Sequence, residues 1–127
     1  MRTQYDLTGN LQDLEAAITF VGIVVKATPE GHPHRAARLS RLGSHLGTRY
    51  ERTRNFQGLE AAINHGESAV KATPEAHPDQ PWRLNTLGIQ LNSRHERTGN
   101  FQDLEAAITY AQEAVNATPE DHPDRAR

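Results

Sequence analysis

The chain contains no cysteine among its 127 residues. Disulfide bonds and thiolate metal sites are therefore excluded, and the composition suits a reducing compartment, so we expect a cytoplasmic protein. Aromatic residues make up only 6% of the chain and hydrophobic residues 35%. This supply is small for a single globular core, but it is sufficient for a thin core layer that continues from one structural repeat to the next.

The chain also lacks a large excess of charge of one sign and a long apolar run. The net charge is −2, so we expect neither nucleic acid nor an anionic membrane as a partner. The longest apolar stretch, from Phe20 to Val25, is far too short to cross a bilayer. The first residues contain no apolar run of the kind that a secretory signal needs.

Two short phrases recur along the chain at a fixed spacing. Leu-Glu-Ala-Ala-Ile begins at Leu14, Leu59 and Leu104, so each return comes 45 residues on, and Ala-Thr-Pro-Glu has the same spacing from Ala27. A period of this size is typical of repeat arrays, in which neighbouring units bury each other's apolar faces. We therefore predict one array over residues 1–127, with units at about 1–30 (first helix incomplete), 31–75 and 76–120, and the start of a further helix in 121–127.

Each unit is predicted to contain two helices. Leu39, Leu42, Leu46 and Tyr50 lie on one face of a helix, and the apolar residues from Phe56 onward follow the same rule. The predicted helices are Leu11–Ala27, Pro33–Arg52, Phe56–Ala72, Pro78–Arg97 and Phe101–Ala117, with short stubs at Met1–Leu7 and from Pro123.

The helix boundaries carry capping signals. Gly99 suits a left-handed C-terminal cap, Asn100 suits the N-cap of the next helix, and Asp103 is placed to complete a capping box. A threonine before Pro74 is expected to end the second helix, and Pro78 to occupy the first position of the following one. The first unit repeats these signals at Gly9, Asn10 and Asp13, whereas the central unit keeps only the asparagine, at Asn55. The threonine–proline pair and the later proline recur in every unit.

The motif Leu-x-x-Leu-Gly, which ends at Gly43 and again at Gly88, resembles the first-helix signature of tetratricopeptide repeats. That family also places an alanine twelve residues before a proline in the second helix, with a small residue between them, and Ala62, Ala69 and Pro74 match this pattern. The period departs from the family, whose usual repeat has about 34 residues. The phrase Ala-Thr-Pro-Glu-x-His-Pro, together with Arg-Tyr-Glu-Arg-Thr, is similar to the long arrays of fungal NLR-type and caspase-like receptors.

The resemblance implies an all-α fold, a right-handed superhelical stack (α-solenoid) of antiparallel helix pairs. It also implies a protein–protein interaction scaffold that serves as a ligand-sensing or assembly segment of a larger receptor and binds a protein or peptide in a concave groove. The groove stripe would fall on the first helices. Trp82 is either an anchor for the ligand or a cover for the connection between units. The expected ligand contacts are Ser40, Ser44, Trp82, Asn85, Ile89 and Asn92.

A second stripe on the first helices is basic. It comprises Arg38, Arg41, His45, Arg49 and Arg52, and the corresponding residues of the next unit are Arg83, Thr86, Gln90, Arg94 and Arg97. Such a stripe is either a solvated face that pairs with Glu60 or Glu105, or an attractor for an acidic ligand.

No catalytic, cofactor or metal site is expected. His32, His77 and His122 recur once per period, which favours a structural cap or spacer, and they would lie too far apart to share a metal. His32 and His34 lack an evident third ligand. The serines lie within predicted helices and lack the nucleophile-elbow motif, and phosphate-loop and dinucleotide motifs are absent. We therefore predict that the protein is not an enzyme.

The second helix of the first unit is unusually apolar. Phe20, Ile23 and Val24 stand where the central copy has His65, Ser68 and Ala69. Exposed apolar residues of this kind usually mark an interface. We therefore expect a homo-oligomer, with a symmetric dimer through the Phe20 end as first choice and Tyr110 at the other end as a further contact. Self-assembly is thus the alternative function.

Overall fold

The computed structural model describes residues 11–118, and these form five α-helices with no β-strand. The helices are α1 (Leu11–Lys26), α2 (Arg35–Thr53), α3 (Phe56–Ala72), α4 (Gln80–Thr98) and α5 (Phe101–Ala117). The all-α class is confirmed for these residues, and consecutive helices pack as in a helical bundle or solenoid. The expected stubs at Met1–Leu7 and from Pro123, together with His122, lie outside the described residues.

The turn that precedes each first helix corrects one boundary prediction. Pro33 and Pro78 lie in turns, and the helices begin two residues later, at Arg35 and Gln80. The His32 Nδ1 accepts a hydrogen bond from the backbone N–H of His34 at 3.0 Å, and His77 does the same for Asp79 at 3.0 Å. The imidazoles close these turns, so the helical hydrogen bonds start only after them.

The other helix ends follow the capping signals, with one exception. Gly99 is left-handed (φ 76°), and the Asn55 and Asn100 side chains accept hydrogen bonds from the second residue of the following helix. Arg54 adopts the same left-handed conformation (φ 58°) without being glycine. The capping box predicted for Asp103 is wrong, because the N–H of Asn100 donates to the Thr98 Oγ1 at 3.1 Å. The Asp103 carboxylate faces an arginine instead.

The core consists of leucines of a first helix enclosed by two second helices. Leu42 of α2 packs between Val21 of α1 and Ala62 of α3. One period on, Leu87 of α4 packs between α3 and Ala107 of α5. The buried residues of these two layers are Val21, Val25, Leu39, Leu42, Leu46, Ala62 and Ala69, and then Tyr50, Leu59, Ile63, Leu87, Leu91 and Ala107.

Close backbone approach explains why the residue after the second leucine is glycine. A Cβ atom at Gly43 would lie 3.2 Å from the carbonyl oxygen of Ala62, and one at Gly88 would lie 3.2 Å from that of Ala107. The helices of a unit therefore cross at a distance that leaves room for only small residues on both sides.

Arginines on the first helices join successive units through ion pairs. Arg49 of α2 contacts Glu15 of α1 at 2.8 Å, and Arg94 of α4 contacts Glu60 of α3. Arg94 also donates to both carboxylate oxygens of Asp103, at 2.9 and 2.8 Å. The hydrogen bonds that Arg94 donates to Asp103, and then to Glu60, raise its pKa above the usual value.

The central unit lacks this second carboxylate. The residue that corresponds to Asp103 is Gly58, and a Cβ atom there would lie 3.5 Å from an Arg49 guanidinium nitrogen, an ordinary contact. The Arg49 Nε is buried and has no hydrogen-bond partner within residues 11–118.

Gly58→Asp is expected to restore the missing pair and to stabilise the protein. Gly58→Ala is the control, because it gains helix propensity but adds no carboxylate. The aspartate adds a charged hydrogen bond and a favourable charge in the first helical turn, and should raise the free energy of unfolding by about 1 kcal/mol more. Urea unfolding followed by circular dichroism measures the difference. The excess should disappear in an Arg49→Met background, and equal stability of the Asp and Ala variants would contradict the assigned geometry.

Ala69→Leu is expected to overpack the first core layer. Ala69 is 1% exposed and packs against the leucines of α2, so a larger side chain should lower the free energy of unfolding by roughly 1–3 kcal/mol. Ser68→Leu, at the exposed neighbouring position, is the control. An unfolding midpoint that is the same in both variants would show that the contact is misassigned.

Candidate ligand groove

The first helices of successive units meet through one glutamine. The buried Gln90 Nε2 of α4 donates to the carbonyl oxygen of Gly43 in α2 at 3.1 Å. A Cβ atom at Gly47 would come within 2.8 Å of the same nitrogen. Gln90 therefore fills the space that Gly47 leaves open and reaches the backbone of Gly43 one turn away. The sequence pattern placed Gln90 on the basic stripe and gave no sign of this contact with the preceding unit.

A cavity of about 200 Å³ lies between α2 and α4. Ser44 and Thr48 of α2 form one wall, and Thr86, Ile89 and Ser93 of α4 form the other. Its lining also includes the buried residues Tyr50 and Leu59. Hydroxyl groups and one exposed aliphatic side chain therefore surround an apolar interior.

The structure brings only two of the predicted ligand contacts to this cavity. Ser44 and Ile89 line it, whereas Trp82, Asn85 and Asn92 are exposed elsewhere on α4. Ser40 is 7% exposed and lies beneath α4 beside Arg83 and Gln90. Its expected role as a ligand contact is not supported by this placement, since the following first helix covers it.

Two large apolar side chains extend from the same side of α4 into solvent. Trp82 is 56% exposed and Ile89 60%, and their separation by seven residues places them on one helical face. Asn85 and Asn92 complete the stripe. Adjacent exposed apolar side chains with a polar surround are typical of protein-binding surfaces.

Charges near one end of the cavity balance each other. Arg54 and Arg97 lie over the ring of Tyr50, with guanidinium carbons 5.5 and 6.0 Å from its centroid. The pKa of Tyr50 is lowered below its usual value, mainly by a hydrogen bond with Arg97. Glu51 and Glu96 line the same opening, so this region carries as many acidic as basic groups.

Four arginines of the basic stripe and of its counterpart in the next unit make contacts within the chain. Arg38 donates to the Thr28 Oγ1 and Arg83 to the Thr73 Oγ1, each at 2.8 Å, while Arg49 and Arg94 form the ion pairs described above. The expected pairing with Glu60 is confirmed. Glu105 forms no ion pair with any residue of 11–118. The geometry therefore favours a packing role over capture of an acidic ligand.

The histidines of the described part do not converge. The His32 and His34 ring centroids are 5.5 Å apart, and no group of three or more potential metal ligands occurs within residues 11–118. Burial and then Arg41 lower the pKa of His45, and burial and then Arg35 lower that of His65. Both half-buried imidazoles therefore favour the neutral form.

The residues expected at a self-association surface are divided between the two ends. Phe20 and Ile23 of α1 are 67% and 63% exposed, and Val24 is half-buried. Tyr110 packs against the core layer of α4, and burial raises its pKa. That side of α5 faces the first helix of its own unit, and the expected contact of Tyr110 with a further neighbour stays a prediction.

Comparison of the chain with protein-family models, with curated proteins and with solved structures gave no match. None of the helices within residues 11–118 is long and apolar enough to cross a membrane.

Proposed function

We propose that the protein is a protein-interaction scaffold that binds a peptide segment along α4. The observation that carries this proposal is the exposure of Ile89 at the cavity between α2 and α4, together with that of Trp82 further along the same face of α4. The architecture proposed is a right-handed superhelical stack of antiparallel, tetratricopeptide-like helix pairs. The recurrence of α2 and α3 as α4 and α5 after 45 residues, and the repeated core layers, support it.

The size of the cavity favours a side chain over a cofactor. Small-molecule sites usually measure about 300–1,000 Å³, and this cavity has about 200 Å³. One apolar side chain of a bound peptide fits it, with Ile89 at the rim and Trp82 further along the helix as a second contact. If the chain acts like the receptor arrays that it resembles, binding of this peptide is its ligand-sensing or assembly step. This role needs no chemical reaction.

The groove is tested with peptides selected from a displayed random library on the wild-type chain. Combined Trp82→Ala and Ile89→Ala substitution should weaken binding of the selected peptides by about 30-fold or more, since aromatic anchors usually dominate binding. Fluorescence anisotropy gives the dissociation constants. Phe101→Ala with Val115→Ala, which removes two exposed apolar side chains from α5, is the control and should leave binding unchanged.

Peptides that bind the Trp82 and Ile89 variant as tightly as the wild type would refute the groove. Peptides that instead lose affinity for the α5 control would assign binding to the other surface.

Self-assembly is the second candidate, and the exposure of Phe20 and Ile23 favours it. These two residues lie close together on α1, and closed two-fold pairs are the commonest assemblies. The candidate is a symmetric dimer through this patch.

Light scattering at about 100 μM, where a dimer with a micromolar dissociation constant forms, tests the dimer. Phe20→Glu with Ile23→Glu should yield a monomer, because two buried charges disrupt an apolar interface. Ile108→Glu with Val115→Glu makes the same charge change on α5 and should leave the dimer intact. A wild-type chain that is monomeric at this concentration would exclude the second candidate.

A further inference from the structure

The outer face of α5 carries three large apolar side chains that are half or more exposed. Phe101, Ile108 and Val115 are 63%, 50% and 56% exposed. Their spacing of seven residues places them on one side of the helix. The equivalent residues of α3 are enclosed: Ile63 is 1% exposed, and Phe56 and Val70 are half-buried.

The equivalent face is covered by a helix in the two preceding units. In α1 it is packed by α2, and in α3 it is packed by α4. Each covering helix carries three leucines, and if the first is position 1, the others stand at positions 4 and 8. They are Leu39, Leu42 and Leu46 in α2, and Leu84, Leu87 and Leu91 in α4.

An ion pair fixes the register of both covering helices. Position 11 of the pattern is Arg49 in α2 and Arg94 in α4, and each arginine contacts the glutamate of the second helix before it, Glu15 or Glu60. Glu105 is the equivalent glutamate of α5. It is exposed and has no ion pair within residues 11–118.

We propose that the outer face of α5 is a docking site for one amphipathic helix of a partner that carries this pattern. Leucines at positions 1, 4 and 8 pack on Ile108 and Val115, and an arginine at position 11 pairs with Glu105. The site lies on a different surface from the groove at Trp82, so this proposal does not depend on the proposed function. A folded second copy does not offer such a helix, because its α2 and α4 already cover α1 and α3.

The first experiment supplies the helix in trans. A fluorescein-labelled, end-blocked peptide with the sequence of residues 79–98 is titrated with the full chain, and anisotropy is recorded. Saturable binding is expected, and Ile108→Glu should abolish it. Glu105→Arg should weaken it by at least about tenfold, since like charges then face each other. A peptide carrying Arg94→Glu should restore binding to the Glu105→Arg chain.

Glu113→Arg is the matched control. It makes the same charge change on the same helix, but position 113 lies away from the face that contains Ile108 and Val115. Binding of the wild-type peptide should be unchanged. Equal weakening by Glu105→Arg and Glu113→Arg would overturn the proposal, because the effect would then be one of net charge.

The second experiment tethers the helix, so that weak folding of a free peptide cannot hide an interaction. The sequence of residues 118–127, TPEDHPDRAR, parallels that of residues 73–82, TPEAHPDQPW. Appending the sequence of residues 83–98 after Arg127 therefore keeps the spacing. The urea midpoint should rise above that of a chain with a scrambled appendage, fall again with Glu105→Arg, and recover when the appended arginine is also replaced by glutamate.

A midpoint equal to that of the scrambled appendage would overturn the proposal. So would an oligomeric wild-type chain that becomes monomeric on Ile108→Glu while the peptide fails to bind. The face would then belong to a second copy of the chain.

Discussion

The whole structure depends on the enclosure of first-helix leucines between two second helices. Leu42 and Leu87 illustrate it, since each lies between the apolar side of the preceding second helix and the alanine side of its own. Burying one leucine is worth about 1.5–3 kcal/mol. Because each layer takes residues from at least three helices, no unit completes its core alone, and stability belongs to neighbouring units together.

Ion pairs contribute orientation more than stability. A partly exposed pair is worth about 0–1 kcal/mol, less than a single buried leucine. The pairs of Arg49 with Glu15 and of Arg94 with Glu60 nevertheless occur at equivalent positions. A charge at a fixed position penalises any shift of one helix along its neighbour, whereas leucines tolerate sliding better. Leucines thus provide the attraction, and arginines determine the alignment.

Both candidate surfaces follow from the same packing. Small residues such as Gly43 bring the helices of a unit close together, and Gly47 leaves the space that Gln90 of the next unit enters. The first helices of adjacent units then lie side by side, and the cavity beside Ile89 lies between them. The outer face of α5 has the same origin, since a second helix has one apolar side for its own unit and another for the next.

The sequence alone determined the period, the helix content and most helix ends. These are local properties: asparagine caps, glycine in a left-handed conformation and threonine before proline act through hydrogen bonds within a few residues. Only the tertiary structure decided which apolar side of a second helix meets which neighbour. Tyr110 and Ile108 both fit an apolar pattern, yet one packs on α4 and the other is exposed. Helical periodicity groups residues on a face, but the identity of the covering helix depends on contacts distant in sequence. For the same reason the wedge of Gln90 and the pairing of Arg94 with Asp103 were not predicted, since each joins residues of different helices.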